Sequence, residues 1–154
     1  VLSYAEDLLN AVETFTESNL ATYLTAIETE KGDSVTPSNL NGVEVGVYDP
    51  SKYNNFPLGF LLPLSEEYEP LSMGSDELTL TAELWVIDRG YDEATLTTRV
   101  ARFAAALRNM VRSNMDLGST IGEIRFNTAE YFPRVYGVED AQGARVTLTI
   151  IQEV

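Results

Sequence analysis

Between Thr95 and Val154 the hydrophobic pattern changes its period, and that change limits the folds open to the chain more than any other feature. Leu96, Val100, Phe103, Ala104, Leu107, Met110 and Val111 recur at the three- and four-residue spacing of a helix with one buried face. Asn114 and Gly118 supply the residues that stop helices. The period then drops to two, and Val146, Leu148 and Ile150 share one side of a closing strand. A one-sided helix and a one-sided strand each leave an apolar surface to be covered, so each is expected to cover the other.

The rest of the chain repeats this theme. Residues 4–30 read as a helix, or as a helix broken near Ser18-Asn19, opened by a Ser3/Glu6 capping box and closed by Lys31-Gly32-Asp33. Val43, Val45 and Val47 alternate as a short strand, and residues 49–55 carry turn chemistry. Leu58, Phe60, Leu62 and Leu64 alternate again, with Pro57 and Pro63 pushing that segment toward a sheet edge or a bulge. The clearest strand has Leu78, Leu80, Ala82, Leu84 and Val86 on one face and Thr79, Thr81, Glu83, Trp85 and Ile87 on the other. Residues 88–92 turn the chain into the second helix, with Asp92 or Thr95 as N-cap. Residues 121–127, 135–138 and 144–153 read as closing strands, with a turn at 140–143. The order predicts an α+β fold, a mainly antiparallel sheet with two long helices packed on one face. At 154 residues it fits one domain, 1–154, with an acidic loop excursion at 65–77. Phe103, Leu107, Val111, Leu80, Leu84 and Leu148 are expected in one core.

Little in the chain points to catalysis. It has no histidine, the commonest general base, and no cysteine, which excludes disulfides, thiolate metal sites and a cysteine nucleophile. Without histidine no serine triad can be assembled, and neither a G-x-S-x-G elbow nor a G-x-x-x-x-G-K phosphate loop occurs. No catalytic residue, metal site or cofactor is expected, and the chain does not read as an enzyme. No apolar run approaches the roughly 20 residues of a membrane helix, so no membrane partner is expected. The first residues lack a basic stretch followed by an apolar one, so a secretory signal is not expected. Tyr48, Tyr53, Phe56, Tyr131, Phe132 and Tyr136 sit in or beside loops, where packing or subunit contact suits them better than stacking on bases amid negative charge.

Charge is the remaining signal. The chain holds 24 acidic and 10 basic residues, a formal charge of −14, which argues against a free-standing nucleic-acid binder. Residues 1–90 hold 16 acids and 3 bases, whereas 91–115 hold 2 acids and 4 arginines. Arg99, Arg102, Arg108 and Arg112 lie outside the apolar arc of the second helix, whose most exposed face is expected to hold Ala101, Ala105 and Asn109. Two readings stand side by side: these residues solvate a helix of high propensity, or with Trp85 they receive the acidic surface of a second subunit. Glu66, Glu67, Glu69, Asp76 and Glu77 crowd the excursion without the spacing of a calcium loop. They read as solvated surface, or as a projecting mobile loop that lines or docks.

The order of these segments resembles the tail-terminator proteins of long-tailed bacteriophages. The likeness lies in the N-terminal helix, the strand from Leu78 to Asp88, the helix RVARFAAALRNMVRSN with Leu117-Gly118 close behind, and the alternating final strand. Ala106-Leu107-Arg108-Asn109-Met110-Val111, Leu117-Gly118 and Ile124 occupy the compact segment that such chains place before their closing strands. The resemblance implies a virion structural subunit that forms a ring, usually a hexamer, capping the tail tube. It also implies contact with the tail-tube protein and the head–tail connector, transient non-specific passage of DNA through the ring, and assembly in the host cytoplasm. In such a ring the acid-rich excursion would line the lumen or dock on the tube. Another neck, connector or minor tail protein shares these features, and a soluble α+β ligand-binding or enzyme subunit is the competing class.

Overall fold

The computed structural model describes residues 4–46 and 48–154. Helix α1 (Ala5–Lys31) is unbroken, and at Ser18-Asn19 the Asn19 amide donates to Phe15 O within the helix at 2.9 Å. Its N-cap Tyr4 offers no side-chain cap, while Glu6 and Asp7 in the first turn act favourably on the helix dipole. The capping box expected at Ser3 lies outside the described residues. Gly32 ends the helix in a left-handed conformation at φ 67°, its N–H donating to Glu28 O. Leu8, Leu9, Val12, Thr16, Leu20, Leu24 and Ile27 form the buried stripe.

Five strands follow around the second helix: β1 (Val43–Val45), β2 (Leu58–Ser72), β3 (Ser75–Arg89), α2 (Glu93–Ser113), β4 (Glu123–Phe132) and β5 (Ala141–Glu153). They make one sheet in the order β1-β2-β3-β5-β4, parallel only between β1 and β2. Val47, expected as the third valine of β1, lies outside the described residues. β1 is held by α1, because Glu17 accepts from the Val43 N–H at 2.9 Å. Pro63 stands at a register shift in β2, as a proline inside a ladder requires. The expected strand at 135–138 is only a single bridge between Val135 and Val138, and of the expected turn at 140–143 only Asp140 lies in a turn, 141–143 being already the start of β5. Alternation cannot distinguish a short apolar loop from a strand.

Both helices cover one face of the sheet. Leu80, Leu84 and Leu148 meet Phe103, Leu107 and Val111 in one core, as the two periodicities demand, together with Leu8, Leu20 and Leu24 of α1. Burying each such side chain contributes about 1.5–3 kcal/mol, and this is the main force joining the two layers. On the opposite face a smaller cluster of Leu58, Phe60, Ile87, Val135, Val138 and Ala141 lies under the aromatic loop around Tyr48, Tyr53 and Phe56. Tyr48 and Tyr53 meet Phe60 edge-on, each with ring centroids 5.3 Å apart. That cluster covers only one end of the outer face.

Candidate functional site

The acidic excursion is not a loop. Residues 65–72 continue β2 and 75–77 belong to β3, paired from Ser65↔Thr81 through Glu69↔Glu77 to Ser72↔Ser75. Residues 73 and 74 form the turn, with Gly74 at φ 85°. The correction has a local cause: Glu67 and Glu69 alternate with Glu66, Tyr68 and Pro70 in strand period, a signal masked by charge and by the flanking prolines. Glu69, Glu77 and Glu153 stand directly opposite one another across three strands, an arrangement of like charges that destabilises a sheet.

What projects is therefore the distal half of an edge strand. β1 pairs only with Gly59, Phe60 and Leu61, so among the described residues β2 has no partner on its other side along 62–72. Residues 63–74 are exposed throughout, including the large apolar side chains of Leu64, Tyr68, Leu71 and Met73. Glu66 and Tyr68 pair with Leu80 and Leu78, so they point to the helix side of the sheet; the Tyr68 hydroxyl donates to Glu66 at 2.8 Å. Glu67 and Glu69 point to the outer side. Pro63 and Pro70 remove two donors and blunt the edge, leaving residues 64–69 between them. At the other end of the sheet β4 also has a free side. Ile124 donates to Met115 O at its start, and a register shift lies between Phe126 and Thr128.

The four arginines of α2 separate into two pairs. Arg99, expected in solvent, is buried, and its Nε donates to Asp88 at 2.6 Å. It lies 4.1 Å from the Tyr91 ring centroid and also donates to Val35 O at 3.4 Å. Arg102, likewise expected at a free surface, donates two hydrogen bonds to Asp33 at 2.6 and 2.8 Å and one to Thr36 at 2.7 Å. These contacts hold the Asp33 carboxyl well below its ordinary range, at about 2, with the Arg102 hydrogen bonds as the main cause and the Val35 N–H next. Both arginines clamp the chain after α1 onto α2, across 64 to 69 residues of sequence that periodicity cannot relate. Arg108 and Arg112 are exposed and, among the described residues, have no carboxylate within ion-pair distance. Ala101 and Ala105 are half-buried rather than on the most exposed face, Ala105 against the core.

Trp85 also differs from its expected role as an open contact. It is half-buried between Tyr48 and Phe132, with ring centroids 4.9 and 4.8 Å away, and its indole N–H donates to Glu83 at 3.1 Å. Arg145, which the sequence did not single out, lies over Trp85 and Phe132 and pairs with Glu130 at 2.6 Å and Glu83 at 3.9 Å. Past that point the outer face carries Thr79, Thr81, Thr147 and Thr149, together with Arg125 held by Glu123 at 2.9 Å. Arg125 and Arg145 are thus neutralised within the chain, while exposed Arg89 at the end of β3 and Glu67, Glu69 and Glu77 are left without an ion pair among the described residues.

A groove of about 910 Å³ runs between α1 and the segment before β4, lined by Ala11, Phe15, Leu117 and Ile121 with polar neighbours such as Asn10 and Gln152. Among the described residues no group of three acidic side chains is placed to hold a metal ion. Among the described residues no helix is long and apolar enough to cross a membrane.

No protein-family model and no curated protein matches the chain. Among solved structures, a chain of the virion of a native gene transfer agent particle superposes with a TM-score of 0.49 at 11% identity, covering 99% of this chain and 100% of that one. Similarity at that level carries no functional conclusion.

Proposed function

We propose that this chain is a structural subunit of a tailed-phage particle, of the tail-terminator kind, which assembles head to tail into a ring. The observation that carries the reading is a sheet with two unlike free edges on opposite sides, the distal half of β2 and β4 beyond Ile124. Exposed edges of this length invite pairing with another chain. Because the two edges differ, pairing one with the other is heterologous, and such contacts close into rings when the rotation between copies allows.

The outer face of the sheet suits the lumen of such a ring. It is rich in threonine and carboxylate, and two of its arginines, Arg125 and Arg145, are already paired, so away from Arg89 at its end it offers phosphates little to bind. DNA would pass without being held. The helices would then face outward, and the β2–β3 hairpin, with its acids and exposed Met73, would reach toward a tail-tube or connector protein. Hexamers follow from the family resemblance alone. Negative-stain microscopy and native mass spectrometry of the purified protein test the reading: rings or stacked tubes are expected. A protein monomeric at all concentrations would overturn it in favour of a ligand-binding subunit using the groove beside Phe15.

A further inference from the structure

We infer that β2 of one copy pairs along β4 of a second copy, and that Glu66 of the first then meets Arg108 and Arg112 of the second. The inference rests on the ring reading and specifies its interface.

Three placements converge. The free edges are comparable in length, residues 62–72 against residues 125–132, and the prolines at 63 and 70 bracket the central donors of β2. Strands added to a sheet keep each side chain on its own face, so Glu66 and Tyr68 remain on the helix side of the joined sheet. The unpaired arginines stand on the matching flank. Val100 and Ala104 pack toward Ala129 of β4, and at about 100° per residue Arg108 and Arg112 lie progressively further round α2 in that same direction. Arg99 and Arg102 fall on the opposite flank, toward residues 33–36. A strand laid about 4.8 Å beyond β4 therefore runs beneath the flank bearing the two free cations.

Charge selects the partner. Residues 53–88 contain no basic residue, so β2 brings only negative charge to the contact. On the receiving side Arg125 is occupied by Glu123, which leaves α2 to supply the positive charge. The small side chains of Ala101 and Ala105, on the same flank, leave room for Tyr68. A second copy of this chain offers both halves of the match.

The chain has no cysteine, so a crosslink can be read without background. Glu66→Cys combined with Arg108→Cys in one chain, oxidised and run without reductant, is expected to give a ladder up to the ring size. Each single cysteine variant should stay monomeric on the gel. Glu66→Arg should lose the ring, and adding Arg108→Glu and Arg112→Glu should restore it, which separates a contact from a folding defect. Rings with no 66–108 ladder, only a 66–66 dimer, or a folded triple variant that stays monomeric would each overturn this interface while leaving the ring reading intact. Wild-type protein that never assembles would overturn both.

Discussion

Replacing Arg99 with alanine tests how far the structure departs from the surface role that helix periodicity assigns to this residue. The substitution leaves Asp88, only 1% exposed, without its guanidinium partner. Removing one member of a buried ion pair costs about 3–5 kcal/mol, because the remaining charge is neither hydrated nor neutralised. Asp88 Oδ1 still accepts from the Arg89 N–H at 2.9 Å, so the loss should fall in the lower part of that range. The contact with Val35 O and the stacking on Tyr91 disappear as well, which loosens the segment after α1. For a domain of this size about 3 kcal/mol corresponds to a fall in Tm of roughly 6–12 °C. Urea unfolding followed by far-ultraviolet circular dichroism reads the change directly, with Arg134→Ala as the exposed comparison, expected within about 0.5 kcal/mol of wild type. Replacing both members of the pair by apolar residues, Asp88→Leu with Arg99→Met, should recover much of the loss. If Arg99→Ala matched Arg134→Ala in stability, the pair would contribute nothing and the reasoning would fail.

Three further outcomes are expected. Asp33 has a folded-state pKa lowered from 3.8 to about 2, so the stability it contributes is complete above the unfolded value and is lost as pH falls through that window; Asp33→Asn should unfold earlier than wild type at neutral pH, with the two urea curves converging at the acid end, and parallel curves at every pH would contradict the pairing with Arg102. Gly122→Ala should destabilise by about 1–3 kcal/mol, because the added Cβ would lie 2.5 Å from the Ile151 carbonyl oxygen and force the start of β4 away from β5; thermal unfolding unchanged from wild type would show that β4 yields freely there. Neutralising Glu66, Glu67, Glu69, Asp76 and Glu77 to Gln or Asn should leave stability equal or slightly raised, since Glu69 and Glu77 repel directly across the strands; joining of heads to tails should fall, and a normal yield of infectious particles would return these residues to the status of solvated surface.

The two-layer α+β architecture was legible because it rests on local periodicity. Leu78, Leu80, Ala82, Leu84 and Val86 can share a face only in a strand, and Val100, Phe103, Leu107 and Val111 only in a helix. Burial then leaves little choice of which faces meet, and the residues expected in one core are found there. Asp92 was readable as one of two candidate N-caps for the same reason: its side chain accepts from the Thr95 N–H at 2.7 Å, a contact made within one turn. The surfaces available to a partner depend on contacts between distant segments, and these the sequence did not decide. Arg99 and Arg102 lie outside the apolar arc of α2 just as Arg108 and Arg112 do, yet Asp33 and Asp88 come from elsewhere in the chain and take only the first pair. The excursion at 65–77 looked like a loop because charge and proline mark exposure, but an edge strand is exposed too. Its pairing with β3, and the absence of a neighbour on its other side, follow from a strand order that no local pattern encodes. Local sequence determined which side chains needed cover; long-range packing decided which charges and which strand edge were left without it.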